Sequence, residues 1–198
     1  MKNWKFGLIV YFISFSSALF CQTVNLENAS VFLKNGKKLN GGVSMGLKKL
    51  KIRINSNVTK TYEGKDIDSI IVNFEDKKKK FVYNPLKKLR NKLKKYRLME
   101  VIFEGKKIKL FKHLQSVRQN TGIGFYNDNG RITSFFVIRK NEKVSTRIES
   151  SYGLHKGFPK IAPKYFNDCK ELLLKIKNKE FKRDDIFDVI LFYEFKCK

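Results

Sequence analysis

The feature that most constrains the fold is the alternation of apolar and polar residues along short segments between residues 24 and 148. In LKKLKIRIN, Leu50 and Ile52 point to one side of a strand, and Lys51 and Arg53 point to the other. Asn-Gly pairs and other turn signals separate this segment from similar ones before and after it. The pattern predicts an antiparallel β-meander, either an open sheet or a partly open barrel.

The period of the apolar residues changes after Ser150. The following residues recur at the spacing of one helix face: Ala162, Tyr165, Phe166, Cys169, Leu172, Leu173 and Ile176. A second apolar set follows Asp184 and Asp185, whose charges suit the N-terminal end of a helix. We therefore predict a hairpin of two helices over residues 160–197 that packs on the sheet, and an α+β fold class.

A strongly basic run, DKKKKFVYNPLKKLRNKLKKYR, occupies residues 76–97. Asn84 suits a helix N-cap and Pro85 suits the first helical position. Three leucines then fall on one helix face: Leu86, Leu89 and Leu93. We predict one short basic helix from Pro85 to Lys95 that interrupts the meander. Such a helix is either an ordinary solvated surface element or a binding surface, and the sequence leaves both readings open.

The chain has a formal net charge of +25, from 43 Lys and Arg residues against 18 Asp and Glu residues. This imbalance predicts attraction to polyanions of any kind, including nucleic acid, anionic lipid and acidic polysaccharide. Lys far outnumbers Arg, and Lys lacks the planar fork that reads bases or phosphates, so weak generic contact is favoured over specific recognition. The predicted strand and the predicted helix would supply the basic surface: Lys49, Lys51, Arg53, Lys87, Lys88, Arg90, Lys92, Lys94 and Lys95.

The first residues indicate export. Lys2 and Lys5 precede an uncharged apolar stretch, Phe6–Phe20, which is typical of a signal peptide and short for a membrane span. We predict a signal peptide over residues 1–21 and one α+β domain over 22–198, in the periplasm, on the outer envelope or secreted. A plain N-terminal anchor is the alternative. Cleavage is expected after Ala18 or just before Gln22.

Cys169 and Cys197 are the two thiols that remain after a signal ending at Cys21 is removed. Each falls on the inward face of its predicted helix, and exported proteins meet oxidising conditions, so we predict a disulfide rather than two buried free thiols. Closing this loop is worth roughly 3–4 kcal/mol in the chain-entropy model. Lipidation of Cys21 is disfavoured, because the bulky Phe20 stands where a small residue is required.

No segment carries a recognised catalytic or cofactor motif. His113 and His155 lack a neighbouring Cys/His cluster, and Asp184 and Asp185 are better explained as helix caps than as cation ligands. The glycine-rich Thr121–Gly130 lacks the third glycine of a dinucleotide fingerprint, and no GxSxG elbow appears. We predict a protein without a cofactor and without enzymatic activity. A hydrolase of unfamiliar type is the third-ranked alternative.

Three segments carry a resemblance to a known group: the FCQ that ends the apolar leader, FFVIRKNEKVSTRI and the C-terminal YFNDCKELLLKIKNKEFKRDDIFDVILFYEFKC. They are similar to uncharacterised exported proteins of Bacteroidota, notably flavobacteria, over about the last third of the chain. The motif residues are Arg139, Asn141, Glu142, Asp168, Cys169 and Cys197. Here Tyr193 is followed by Glu194 rather than by the Asn frequent in that group. The resemblance implies export, a β-rich body and a Cys-containing helical tail, and it brings no known activity.

These observations favour an exported, non-enzymatic, envelope-associated module that binds a partner or has a structural role. The alternative is a polyanion-binding protein whose basic helix and strand face hold extracellular DNA, lipopolysaccharide or acidic glycan. No sequence-specific nucleic-acid binding is expected, because the basic run lacks the interleaved aromatic residues that stack on bases. Weak contact with polyanions or with an anionic membrane surface is expected in either case.

Overall fold

A computed structural model of the chain describes residues 24–74, 77–86, 95–116, 131–151 and 157–197. These residues form ten β-strands followed by three α-helices, so the fold is broadly α+β as predicted. The strands are β1 Val24–Leu33, β2 Lys38–Met45, β3 Lys49–Asn55, β4 Val58–Glu63, β5 Ile67–Asn73, β6 Lys78–Leu86, β7 Lys95–Glu104, β8 Ile108–Ser116, β9 Arg131–Arg139 and β10 Thr146–Ser150. The helices are α1 Gly157–Tyr165, α2 Lys170–Lys177 and α3 Ile186–Lys196, and short 3₁₀ turns occupy Gly64–Asp66 and Arg183–Asp185.

The ten strands form one open antiparallel sheet in the order β10-β9-β8-β7-β6-β5-β1-β2-β3-β4. Most neighbours in the sheet are consecutive in the chain, as in the predicted meander. The exception is β1, which pairs with β2 on one side and with β5 on the other. The first four strands therefore fold outward from β1, and β5 returns to lie against it.

The first half of the sheet is strongly curled. Three residues link Glu63 at the end of β4 to Ile67 at the start of β5, although three strands separate β4 from β5. A flat sheet would place these strands about 19 Å apart at about 4.8 Å per strand, whereas the link reaches about 14 Å at most. The curl is held by Tyr83 of β6, whose hydroxyl lies 2.8 and 2.9 Å from the carbonyl oxygens of Gly46 and Lys49.

The concave side of this curl contains the first core. Its members come from β1, β2, β3, β5 and β6: Ala29, Val31, Leu33, Leu39, Val43, Met45, Leu50, Ile52, Ile67, Ile70, Val72 and Tyr83. Leu50 and Ile52 are fully buried, and Lys51 and Arg53, which alternate with them, are exposed. The half-buried strand that the alternation predicted is confirmed.

The second half of the sheet curls toward the opposite face. Val82 is adjacent to Tyr83 in β6 and therefore points the other way, into a separate cluster around Met99, Phe111 and Phe136. The N–H of Ser145, just ahead of β10, donates to the Pro85 carbonyl over 3.0 Å, and Ser145 forms a parallel bridge with Leu86. This contact brings the chain ahead of β10 back to β6 and encloses the cluster.

The three helices cover the other side of β8, β9 and β10. Their largest apolar side chains pack with strand residues in one cluster: Ile108, Leu110, Val137, Ile148, Phe158, Ala162, Phe166, Leu172, Ile176, Ile186, Val189, Ile190 and Tyr193. The prediction of a two-helix hairpin was too simple, because its first arm is divided into α1 and α2. Cys169 has an extended backbone at the break. The apolar spacing continued across it because both helices bury their residues in the same cluster.

The prediction that a helix begins at Pro85 is wrong. Asn84, Pro85 and Leu86 are the last residues of β6, and they pair with Arg97, Tyr96 and Lys95 of β7. Pro85 has no N–H to donate, but its carbonyl accepts the Ser145 N–H, and Leu86 packs on the Met99 cluster. The rest of the predicted helix, residues 87–94, lies outside the described residues.

The glycine-rich Thr121–Gly130 lies outside the described residues, and β9 begins at the next residue, Arg131. Within the ranges given above, none of the helices has the length and apolar character needed to cross a bilayer.

Candidate functional site

The predicted basic strand face is present on β3. Lys49, Lys51 and Arg53 all point away from the buried Leu50 and Ile52. Lys49 is partly neutralised, because its ammonium group lies 2.9 Å from a carboxylate oxygen of Glu63 on β4. Such an exposed ion pair contributes little stability, but it reduces the charge that Lys49 offers to a polyanion.

Arg53 also lines a groove on this outer face of the sheet, with a volume of about 670 Å³. The groove crosses β5, β1, β2 and β3. Its walls are mainly amide and hydroxyl side chains with exposed backbone: Asn28, Ser30, Asn40, Gly41, Gly42, Arg53, Asn55, Ser56 and Asn73, together with Ala29 and Ile54. No lining residue is aromatic, and none is acidic.

Local backbone geometry shapes the groove. Asn28 has a φ of 62° at the irregularity between Leu26 and Ala29, where the pairing of β1 with β2 shifts. Gly41 has a φ of 158°, and a Cβ at this position would collide with the carbonyl of Arg53. Only glycine allows β2 to approach β3 this closely.

Hydrogen bonds fix two of the groove amides. Ser30 donates from its hydroxyl to Asn40 Oδ1 over 2.8 Å, and Asn73 Nδ2 donates to the carbonyl of Asn28 over 3.3 Å. These bonds use one function of each amide. The Asn40 NH₂ group and the Asn73 amide oxygen stay available to a ligand in the part of the chain that the structure describes. The groove therefore offers both donors and acceptors.

The remaining predicted polyanion residues do not all fall in the described ranges. Lys87, Lys88, Arg90, Lys92 and Lys94 lie outside the described residues. Lys95 is the first residue of β7, half-buried, and pairs in register with Leu86 rather than ending a helix. Three of the nine predicted residues, those on β3, are thus shown to share one face.

A second constellation surrounds Arg139 at the end of β9. Its guanidinium donates to the carbonyl of Tyr165 and to Asp168 Oδ1, the latter over 2.9 Å. The group also lies over two aromatic rings, 4.4 Å from the Tyr165 centroid and 5.1 Å from that of Tyr193. Tyr165 in turn donates to Glu142, and Tyr193 donates to Asp168. We call these five residues the Arg139 network.

The two tyrosines of this network are neutral donors at neutral pH. Burial raises the pKa of Tyr193 to about 12, and the acceptor Asp168 adds to that shift. Burial, together with the bond to Glu142, raises the pKa of Tyr165 further above its ordinary value. Neither phenol is prepared for proton transfer near pH 7. The arrangement joins the helices to β9.

The Arg139 network lies beside the predicted disulfide. Cys169 and Cys197 are at disulfide-bonding distance, with their Cα atoms 5.5 Å apart, inside the range that a bridge requires. Lys107 of the β7–β8 turn donates from its ammonium group to the carbonyl of Cys197. The predicted pairing is confirmed, and it is compatible with an exported protein.

Two buried carboxylates hold the helices to the sheet, and the sequence did not reveal them. Glu149 of β10 accepts the N–H of Phe158 over 2.8 Å and so caps the start of α1. Glu194 of α3 accepts the N–H groups of Lys106, Lys107 and Ile108 over 2.8, 2.9 and 3.2 Å. For Glu194, the available signal was an acidic residue between Tyr193 and Phe195 in a mostly apolar helix.

His113 was predicted to have no metal-binding role, and it lies on the inner side of the second curl. Its Nδ1 is 2.9 Å from the carbonyl of Leu98, and its ring meets Phe136 edge-on. Burial lowers the pKa of His113, and the positive charge of Arg97 adds to this, against the opposing effect of the Leu98 bond. Among the described residues, no group of three or more His, Cys, Asp or Glu side chains is arranged to hold a metal ion.

Comparison with protein-family models, with characterised proteins and with solved structures finds no match to this chain. The resemblance to exported Bacteroidota proteins stays an expectation drawn from the sequence. Five of its six motif residues meet in space, because Arg139, Glu142 and Asp168 belong to one network beside Cys169 and Cys197.

Proposed function

We propose that the protein is an exported, non-enzymatic binding module of the cell envelope, and that it holds an anionic, hydroxyl-rich polymer such as an acidic glycan. The observation that carries this proposal is the groove over β1, β2, β3 and β5, with Arg53 on its wall. This assignment favours a binding role over a purely structural one.

The lining of the groove supports a saccharide ligand. Amide and hydroxyl side chains donate and accept in the same place, as sugar hydroxyls do. Arg53 adds a planar donor fork that matches a carboxylate or sulfate group. Its guanidinium lies beside Gly42, where an added Cβ would be 3.6 Å from Nη2, so the groove floor at this point is bare backbone.

The lining also argues against single-stranded nucleic acid as the ligand. Base recognition by such grooves uses aromatic rings on which successive bases stack. The groove has no aromatic lining residue. Nucleic acid is therefore expected to bind through charge alone, with affinity that falls steeply as salt rises.

The test is a binding titration with a fluorescent acidic glycan, heparin, at low and at physiological ionic strength. Arg53→Gln is expected to weaken binding about 10- to 100-fold, the range for losing a charge-assisted hydrogen bond. The matched control is Lys51→Gln, which removes the same charge from the same face of β3 outside the groove. It is expected to change affinity only slightly.

A second variant tests the groove by shape. A Cβ added at Gly42 would have ordinary contacts, the nearest at 3.6 Å, so Gly42→Leu is expected to fold and to fill the groove. It is expected to weaken glycan binding as Arg53→Gln does.

A third variant tests the basic run and changes Lys87, Lys88, Lys92 and Lys94 to Gln. If the four-lysine variant loses glycan binding while Arg53→Gln and Gly42→Leu keep it, the basic run is the binding surface and the assignment to the groove is wrong.

A further inference from the structure

The outward side of α3 is apolar. The helix buries Ile186, Val189, Ile190 and Tyr193 in the cluster that it shares with the sheet. Its other side consists mainly of four further apolar residues: Phe187, Leu191, Phe192 and Phe195. A surface helix normally carries charged residues there, and a helix that is apolar all round is normally covered on every side.

Two of the apolar side chains on the outward side of α3 are strongly exposed to solvent. Phe195 is 71% exposed and Phe187 is 45% exposed, and Leu191 between them is half-buried. These three residues follow one another at intervals of four, so they form a stripe along about 12 Å of the helix. We call them the α3 stripe. Phe192 is turned toward Phe181 instead, with ring centroids 5.8 Å apart.

Basic residues border the α3 stripe. Lys196 follows Phe195, and Lys106 and Lys107 lie in the β7–β8 turn that Glu194 holds against the helix. Lys182 is exposed just ahead of the helix. Acidic residues are also present, at Asp184 and Asp185 before the helix and at Asp188 within it. The exposed acidic residue of α3 is Asp188, which lies about two helical turns ahead of Lys196 at the C-terminal end.

We propose that the α3 stripe docks on the surface of a lipid bilayer that contains anionic headgroups. Two phenylalanines and a leucine along the outward side of a surface helix, with exposed lysines near its ends, form an apolar patch in basic surroundings that suits insertion at an anionic membrane interface. The competing occupant is a second copy of the chain. A net charge of +25 makes two copies repel each other and attracts each of them to an anionic surface.

This surface is distinct from the glycan groove. The groove is formed by β1, β2, β3 and β5, whereas α3 contacts β8 at the other end of the sheet order. A protein docked through the α3 stripe keeps the groove open to ligand. The two assignments can therefore fail separately.

The test is co-sedimentation of the exported, processed protein with two kinds of vesicle, pure phosphatidylcholine and phosphatidylcholine mixed with phosphatidylglycerol. The wild-type protein is expected to partition onto the anionic vesicles, with partitioning reduced by salt. Phe195→Ser is expected to weaken this about tenfold, and Phe187→Ser together with Phe195→Ser further. Thermal unfolding checks that the variants are folded, because Phe187 also packs edge-on against Phe103, with ring centroids 6.2 Å apart.

The matched control is Phe74→Ser, which removes a phenylalanine that is 39% exposed beyond the end of β5. It is expected to leave partitioning unchanged, as is Arg53→Gln beyond the small effect of its charge. Equal partitioning of the wild type and the Phe187/Phe195 variant would overturn the proposal. So would a wild-type dimer in analytical ultracentrifugation that Phe195→Ser dissociates, because a second copy would then cover the stripe.

Discussion

The hydroxyl of Tyr193 on α3 donates to Asp168 Oδ2 over 2.6 Å, one residue ahead of Cys169 at the start of α2. Arg139 binds the other oxygen of the same carboxylate over 2.9 Å and so connects the helix pair to β9. The disulfide joins the same two segments covalently. Non-covalent and covalent restraints therefore act on one junction, and their contributions are separable by mutation.

Tyr193→Phe keeps the aromatic ring over Arg139 and removes only the hydroxyl. We expect a loss of about 1 kcal/mol in the free energy of unfolding, because Asp168 is partly exposed and water replaces part of the bond. Urea denaturation of the oxidised protein measures this change. Tyr62→Phe on β4 is the control, and it is expected to have no comparable effect. Equal stability of Tyr193→Phe and wild type would contradict the role given to the bond.

Cys169→Ser opens the loop to Cys197, whose sequence separation is 28 residues. The chain-entropy model predicts a loss of roughly 3–4 kcal/mol. Non-reducing peptide mapping should find the two cysteines joined in the wild type, and thermal unfolding should give a lower Tm for the variant. The glycan binding that we propose for the groove should not change. Free thiols at both positions in oxidised, folded protein would refute the pairing.

The bonds of Glu194 to the β7–β8 turn should make the attachment of α3 to the sheet sensitive to acid. Burial by itself would raise the pKa of Glu194, but the N–H groups of Lys107, Lys106 and Ile108 outweigh it and hold the pKa below its ordinary value. A lowered folded pKa gives stability that is present above the unfolded pKa, about 4.3, and is lost as pH falls through the folded value. Glu194→Gln should cost about 1.5–3 kcal/mol near neutral pH. In unfolding experiments, the difference in free energy of unfolding between Glu194→Gln and wild type should shrink below about pH 4. A difference that does not depend on pH would contradict this role of Glu194.

Titration of His113 should make the free energy of unfolding depend on pH in a second, higher pH range. Because its folded pKa is depressed, the neutral ring contributes stability above the unfolded pKa of about 6.5, and this is lost as pH falls toward the folded value. Wild type should therefore lose more stability than His113→Gln between about pH 7.5 and about pH 5.5. His155 is unchanged in both proteins and cancels. Parallel pH profiles would show that His113 does not titrate in this range.

Sequence reasoning predicted those features whose signal is local. The alternation at Leu50 and Ile52 identified a strand, and the inward positions of Cys169 and Cys197 identified a pair. It failed where a local signal was overruled by distant pairing. Asn84 and Pro85 resemble the start of a helix, but β7 and Ser145 pair with them and keep them extended.

The groove could not be predicted from the chain because it depends on strands that are remote in sequence. Asn73 of β5 reaches Asn28 of β1 only after β5 pairs with β1, across 45 residues. Arg53 was identified as a basic surface residue, but its position on a groove wall depends on the close approach of Gly41. Glu149 and Glu194 likewise acquire partners that no spacing rule connects to them.

Within the described sheet, β1 and β5 are the only adjacent strands that are not consecutive in the chain. Each of the other pairs forms by closing one connection between neighbours, whereas this one must first enclose residues 34–66, at a larger cost in loop entropy. The β1–β5 pairing should therefore limit the folding rate. Until it forms, both strands present unpaired edges to other chains, so pulse-labelling hydrogen exchange should protect the N–H groups of Phe32 and Ser69 late, and aggregation during refolding should begin at those edges.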